Sequence, residues 1–318
     1  MAFIVTPGTR EANNGNWRTA RRWAGFLAGL ARPIVQTEWN GERADVVIAL
    51  HARRSAESIE RLKSSSPSTP LVVVLSGTDL YRDLPASVQA SRSLALADRI
   101  VALQDDALAH VPRERLGKCE VIYQSCVALS PRAKIGGRLD CVAVGHLREE
   151  KDPRTLWKAL RLLDPMLPVR LRHIGAALDP QLEREAREAM ANDPRYRWNG
   201  PLPHGLTRCA LRDAHVLVHP SLMEGGANVI VEAITAGTPV VASRVSGNVG
   251  MLGRNYPGYF EVGDGAGLAQ LLAALVERPD RLRALRKSCQ ARRKLFSPSR
   301  ERQAVRRLVL GLLDAIRG

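Results

Sequence analysis

The chain has 318 residues, of which 45% are hydrophobic and 25% charged. That length fits two domains of about 150 residues each, and that balance excludes a disordered chain. A formal net charge of +15 favours anionic partners, and on charge alone nucleic acid, anionic lipid and phosphorylated small molecules all stay open.

Ala2–Val5 reads as a first buried strand, ended by Pro7 and Gly8, and not as a secretory leader. A helix is expected over Arg18–Leu30. Asp45–Leu50, Leu71–Leu75, Arg99–Leu103 and Cys119–Tyr123 read as further buried strands, most of them followed by a polar loop and a helix. Ser130–Arg138 holds Pro131, Gly136 and Gly137, has no periodicity and reads as a linker. A second series follows, with strands at Asp140–Val144, Val169–Ile174, His215–Val218 and Pro239–Ala242. Its helices begin near Pro153, Asp179, Leu206 and Ala227. The alternation predicts two α/β domains, 1–136 and 137–297, each a doubly wound parallel sheet.

Ser297-Pro298 opens a last helix, with a hydroxyl before a proline at the first helical position. Val305, Leu308, Val309, Leu312, Leu313 and Ile316 fall on one stripe, so helix 298–318 is expected to cross back onto the first domain. From Arg278 onward 13 Lys or Arg face three acids. This surplus is either a solvated basic face or a peripheral contact for an anionic membrane or partner surface. No apolar run reaches the roughly 18 residues that a spanning helix needs. Five cysteines, an odd number with no Cys-x-x-Cys pair, point to reduced thiols and a cytoplasmic chain.

The most informative stretch runs from His219 to Pro239. A strand ends, Gly225 and Gly226 turn, and a helix runs from about Ala227 to Ala236, stopped by Gly237 and Pro239. A glycine turn entering a helix exposes unpaired N–H groups and the positive helix end, a geometry that binds phosphate. Glu224 and Glu232 flank it. Carboxylates there make sense as acceptors for ligand hydroxyls, and a nucleotide sugar carries hydroxyls on both sides of its diphosphate. The structural alternative is a capping Glu224 and a buried, purely structural Glu232. Asp-x-Asp is absent and the seven histidines are scattered, so no metal site is expected. Cations and a helix terminus can stabilise a leaving diphosphate instead.

Glu224-x7-Glu232, preceded by Pro220-Ser221 and followed by Ala236-Gly-Thr-Pro-Val-Val-Ala242, resembles the donor motif of the family 4 glycosyltransferases. The resemblance implies the GT-B fold, two Rossmann-like domains facing across a cleft, with the acceptor on the first. It also implies that Glu232 holds the ribose hydroxyls, that Glu224 contacts the sugar, and that the amides of Gly225, Gly226, Ala227 and Asn228 hold the diphosphate. Val144-Gly-His-Leu-Arg-Glu-Glu-Lys151-Asp152 resembles the family's Gly-Arg-Leu-x3-Lys-Gly segment. Lys151 falls on the Lys, His146 replaces the Arg, and Asp152 replaces the Gly. Arg148 or a protonated His146 are candidates for the second cation. After the first strand comes Asn13-Asn14-Gly15-Asn16-Trp17, in which Gly15-Asn16 resembles the glycine loop that approaches the donor phosphates.

Strand ends of the first domain carry His51-Ala-Arg53-Arg54 and Gly77-Thr78-Asp79-Leu-Tyr-Arg82. Ligands bind at such ends in α/β folds, and arginine suits oxyanions, so a small anionic acceptor is expected at His51, Arg53, Arg54, Thr78, Asp79 and Arg82. These stretches, with Val121-Ile-Tyr-Gln-Ser, Tyr196-Arg-Trp and Ser246-Gly-Asn-Val-Gly-Met-Leu-Gly253, are similar to the selenosugar synthases of selenoneine biosynthesis. That similarity implies a UDP-sugar donor, UDP-N-acetylglucosamine, with selenophosphate as acceptor, no cofactor, and a functional link to a selenophosphate synthetase. Two rival readings remain. One is an envelope glycosyltransferase acting on a lipid or polysaccharide hydroxyl. The other is a non-catalytic nucleotide-sugar or nucleic-acid binder, disfavoured by an aromatic content of 4% and the lack of an interleaved stacking platform.

Overall fold

Strands buried on both faces read as unbroken apolar runs, and here such runs are parallel strands. The computed structural model describes residues 1–9, 15–84, 86–134 and 136–317. Val46–Leu50 and Leu71–Leu75 are buried along their whole length. The expected positions Asn13 and Asn14 lie outside the described residues.

The described chain folds as two compact units. One comprises Met1–Ser125, Glu224–Asn228 and Leu295–Gly318, the other Cys126–Met223 and Val229–Lys294. In the first unit, chain order is β1 (Ala2–Val5), α1 (Gly15–Leu27), β2 (Pro33–Gln36), β3 (Val46–Leu50), α2 (Ala56–Ser65), β4 (Leu71–Leu75), α3 (Val88–Leu96), β5 (Arg99–Ala102) and β6 (Cys119–Val121). In space the strands run β2-β1-β3-β4-β5-β6, all parallel.

Then come β7 (Leu139–Val144), α4 (Pro153–Leu162), β8 (Val169–Ile174), α5 (Pro180–Asn192), β9 (Tyr196–Trp198), α6 (His204–Asp213), β10 (Val216–His219), α7 (Asn228–Thr235), β11 (Val240–Ser243), α8 (Ser246–Leu252), β12 (Tyr259–Phe260), α9 (Gly265–Glu277) and α10 (Pro279–Arg292). The last helix is α11 (Pro298–Arg317). The second sheet runs β12-β11-β10-β7-β8-β9, again all parallel. Strands β2, β9 and β12 were not among the expected runs. They are two to four residues long, and β2 opens on a proline, so none carries an apolar run long enough to read.

The chain leaves the first unit after Ser125, ahead of the boundary expected at 136. The reason is that the linker is laid on the second unit. Arg208 donates to the Val127 carbonyl, the Leu129 amide to the Thr235 carbonyl at 3.3 Å, and Lys134 Nζ to the Arg212 carbonyl.

Alternate residues of the first sheet feed two cores. Phe3, Val5, Val47, Ala49, Val73 and Leu75 face one side. Ala2, Ile4, Val46, Ile48, Val72 and Val74 face the other, where Trp23 and Leu27 of α1 meet Val305, Leu308, Val309 and Leu312 of α11. The last helix therefore packs on the first unit. Glu301 fixes it there. Its buried carboxylate accepts from Arg22 Nε at 2.7 Å, Trp23 Nε1 at 2.8 Å and Ser125 Oγ at 2.5 Å. A buried carboxylate is tolerable only when its oxygens are paired in this way. Among the described residues no helix is long and apolar enough to cross a membrane.

Removing Glu301 leaves Arg22 and Trp23 without their acceptor. Glu301→Ala should lose about 3 kcal/mol of unfolding free energy or more in urea denaturation, the cost of stripping one partner from a buried ion pair. A loss under about 1 kcal/mol, typical of exposed pairs, would mean that the apolar stripe alone holds α11.

Candidate functional site

Each sheet reverses its winding direction at one point. In the second unit the chain runs outward as β7-β8-β9 on one side and as β10-β11-β12 on the other, so the reversal lies between the neighbours β7 and β10. Ligands of open α/β sheets bind outside the strand carboxyl ends at such a reversal. The loops leaving β7 and β10 carry Lys151 and Glu224–Glu232, and the Leu222 amide ties them together by donating to the Glu150 carbonyl at 3.0 Å.

After β7, Gly145 has the Lys151 stem folded over it. A Cβ on Gly145 would lie 3.4 Å from Lys151 Cγ and Cδ. Gly175, at φ +159°, approaches from the other side, where a Cβ would fall 1.9 Å from the Gly145 carbonyl oxygen. His173 supports the same carbonyl. Its Nε2 bonds the Gly145 oxygen at 3.1 Å and its Nδ1 the Tyr196 hydroxyl at 2.9 Å. A carbonyl can only accept, so Nε2 bears the proton and the ring is neutral. Burial pushes His173 down to about 4, opposed in part by the Gly145 carbonyl.

Asp152, which stands where the resembling family has glycine, adopts φ +44°, ψ +59°. This left-handed conformation favours glycine. Aspartate is among the residues that tolerate it, and here it caps α4, accepting from the Thr155 amide at 3.3 Å and the Thr155 hydroxyl at 2.5 Å. His146 accepts the Ala176 amide on Nδ1 at 3.0 Å. In that bond Nδ1 is the acceptor, so a ring proton sits on Nε2. Arg148 stands about half exposed, with Nε 4.0 Å from Glu150.

Glu232, on α7, is 5% exposed. Its Oε1 bonds His204 Nε2 at 2.8 Å. Sequence reasoning missed His204. It lies 28 positions away, at the first residue of α6, and no spacing rule links the two.

The glycine turn is counted with the first unit. A Cβ on Gly225 would lie 2.3 Å from the Ser76 carbonyl oxygen. Gly77, at φ +129°, is as close, its Cβ falling 2.7 Å from the Gly225 nitrogen. Both glycines are therefore required by backbone-to-backbone packing. Asn228 opens α7 and Gly15 opens α1. A Cβ on Gly15 would sit 3.4 Å from Asn228 Nδ2, both within the first unit. Glu224 and Asn228 are half-buried, and Gly225 and Ala227 are buried.

In the first unit the reversal lies between β1 and β3. His51 follows β3 in a left-handed conformation, φ +74°, and bonds the Thr78 hydroxyl through Nε2 at 3.0 Å while accepting the Arg54 amide on Nδ1. Burial holds it below the ordinary histidine value, with Asp79 opposing and Arg54 assisting. Arg53 pairs with buried Asp83 at 2.9 Å, and Arg82 lies 3.7 Å from the same carboxylate. The expectation that Asp79 contacts an acceptor is corrected. Asp79 is fully buried, and its carboxylate accepts the amides of Ser76, Gly77 and Leu80 on Oδ1 and of Ala52 on Oδ2. It opens a π-helical turn, Asp79–Asp83, that the sequence did not suggest. Among the described residues no three His, Cys, Asp or Glu side chains are grouped to hold a metal ion.

Residues 138–278 match the family described as Glycosyl transferases group 1. The solved structure of HepE from Anabaena in complex with UDP superposes at a TM-score of 0.77, with 16% identity over 98% of this chain and 99% of that one. Sucrose-phosphate synthase from Thermosynechococcus elongatus superposes at 0.78, with 19% identity over 99% of each chain. The fold is GT-B. Two D-inositol 3-phosphate glycosyltransferases are also similar. That of Corynebacterium glutamicum is 34% identical over 111 residues, covering 33% of this chain and 27% of the relative. That of Catenulispora acidiphila is 29% identical over 236 residues, covering 70% and 56%. The chain thus spans between about a quarter and somewhat over half of these relatives' lengths.

A buried neutral histidine binds fewer protons than the unfolded chain does between its depressed value and the ordinary 6.5, so stability falls as pH falls through that window. For His173 the slope is about 1.4 kcal/mol per pH unit, roughly 3 kcal/mol between pH 6.5 and 4. His51 adds loss of the same sign. His173→Gln should flatten the acid limb of stability against pH relative to the parent chain. Parallel limbs would show that His173 titrates normally.

Proposed function

We propose that the chain transfers a glycosyl group from a UDP-sugar. One observation carries this reading: Lys151 and Glu232 flank the β7/β10 reversal of a GT-B second unit, on loops tied by the Leu222–Glu150 bond. In the proposed roles Glu232 reads the ribose hydroxyls and Glu224 the sugar. The amides of Gly225–Asn228, with Lys151, Gly15 and Asn16, hold the diphosphate. Arg148 is the better second cation, because the His146 ring would need to release the Ala176 amide before it could take a second proton.

The finer proposal is that selenophosphate is the acceptor and N-acetylglucosamine the sugar. It is supported by the stretches similar to the selenosugar synthases and by Arg53, Arg54 and Arg82 beside the β3 and β4 ends. The bond from the anomeric carbon to the diphosphate oxygen breaks, and its electron pair leaves with UDP. A selenium lone pair forms the C–Se bond. Water then cleaves Se–P, releasing phosphate and a 1-selenosugar. Selenium arrives anionic, so no dedicated base is required. The names of the two curated relatives favour a second reading, in which the acceptor is a hydroxyl of a phosphorylated polyol.

Mass spectrometry after incubation with a UDP-sugar panel separates these readings. A selenosugar formed only with selenophosphate supports the first, and a glycoside of inositol 3-phosphate supports the second. Sugar transfer to neither, without UDP release, would overturn the enzymatic reading. Glu232→Ala should raise the donor KM about 10- to 100-fold, the value of hydrogen bonds to a charged group. Lys151→Ala should lower kcat by about 100-fold with a smaller effect on KM. Full activity in either variant would remove its assignment.

A further inference from the structure

The loops that leave β7, β8 and β9 are stacked along one edge of the second sheet. Gly145 donates its amide to Ile174 at 2.9 Å, Gly175 donates to the Gly200 carbonyl at 2.9 Å, and Trp198 Nε1 donates to the Gly175 carbonyl at 2.8 Å. This stack fixes the start of α6 beside the start of α7, and there His204 meets Glu232. The pair is asymmetric. The Glu232 side chain is 7% exposed, whereas that of His204 is 45% exposed. A carboxylate so buried needs its oxygens paired with donors, and a paired oxygen fixes the plane of the group. The His204 N–H supplies one on Oε1 from a half-open position. Packing of α6 does not explain such an imidazole, since α6 buries Thr207, Ala210 and Leu211 and not its first residue.

We propose that His204 is the positioning residue of Glu232, orienting its carboxylate toward the ribose diol, and that it thereby sets the preference for ribonucleotide over 2′-deoxyribonucleotide donors. The inference rests on the ribose assignment of Glu232 above. In this role His204 acts through Glu232, by the bond from Nε2 to Oε1. A carboxylate held in one plane can accept from both diol hydroxyls, while one that lacks the His204 bond is held less tightly and keeps that second bond for less of the time. The effect should therefore fall on ligands that carry the 2′-hydroxyl and spare those that lack it.

The test is calorimetric binding of UDP and of 2′-deoxy-UDP to the full chain and to three variants. The expected result for His204→Ala is UDP binding weakened about tenfold, with 2′-deoxy-UDP binding unchanged. His204→Gln places an amide N–H near the Nε2 position and should recover UDP binding to within about threefold. An equal loss on both ligands in His204→Ala would mark a merely structural role and overturn the proposal, as would no loss on either. Glu232→Ala separates this proposal from the reading beneath it. If that variant binds UDP as the parent does, the ribose assignment falls. If it erases the ribo preference while His204→Ala keeps it, only the role of His204 falls.

Discussion

In a parallel sheet every strand ends on the same edge, and that constraint organises this molecule. Chemistry-bearing loops emerge side by side whatever their separation in sequence. Where the winding reverses, two adjacent loops diverge and leave backbone groups uncovered. In the second sheet those loops follow β7 and β10, and the residues of the resembling donor motif lie on them. In the first sheet they follow β1 and β3, which bring Gly15 and His51 to that edge. The apolar interior of each sheet is generic. The loops at its carboxyl edge hold both non-glycine residues of left-handed conformation among those described, His51 and Asp152.

Those unusual conformations are bought with specific contacts. His51 and Asp152 are the non-glycine residues at positive φ among those described. Asp152 offsets its left-handed backbone by capping α4, so the family's glycine is replaced by a residue that does two things at once. His51 is tied on both ring nitrogens. Glycine is kept where no side chain could fit at all, at Gly77, Gly175 and Gly225, each of which meets backbone at under 3 Å if a Cβ is added.

The fold was legible because burial on both faces writes itself as runs such as Val72-Val-Val74, and because Gly237 and Pro239 punctuate the helix after Glu232. The edge strands β2, β9 and β12 were not legible, whereas β6 was, because Ile122 and Tyr123 extend its three residues into a longer apolar run. The motif that resembles a donor site could be read because its members are neighbours in sequence. His204 was not, since its partner is reached through tertiary packing and not along one helix face. Asp79 was misread for a similar reason. A polar residue at a strand end looks like a ligand contact until its hydrogen bonds are counted, and here backbone amides take them.

That count changes what Asp79 is for. Its Oδ1 gathers the amides of the β4 loop and its Oδ2 the Ala52 amide of the β3 loop, so one buried carboxylate ties the two loops together. His51 and Thr78 repeat the tie with a second bond. The same β4 loop carries Gly77, whose backbone lies against Gly225. Arg53, Thr78 and the glycine turn are therefore parts of one mechanical piece. The carboxylate at its hub is shielded from any ligand, so its charge is spent on position and not on recognition. Arg53, Arg54 and Arg82 of those loops stand exposed outside that hub. Since Arg53 already holds Asp83, an acceptor that engages it must offer a better oxyanion than Asp83 does.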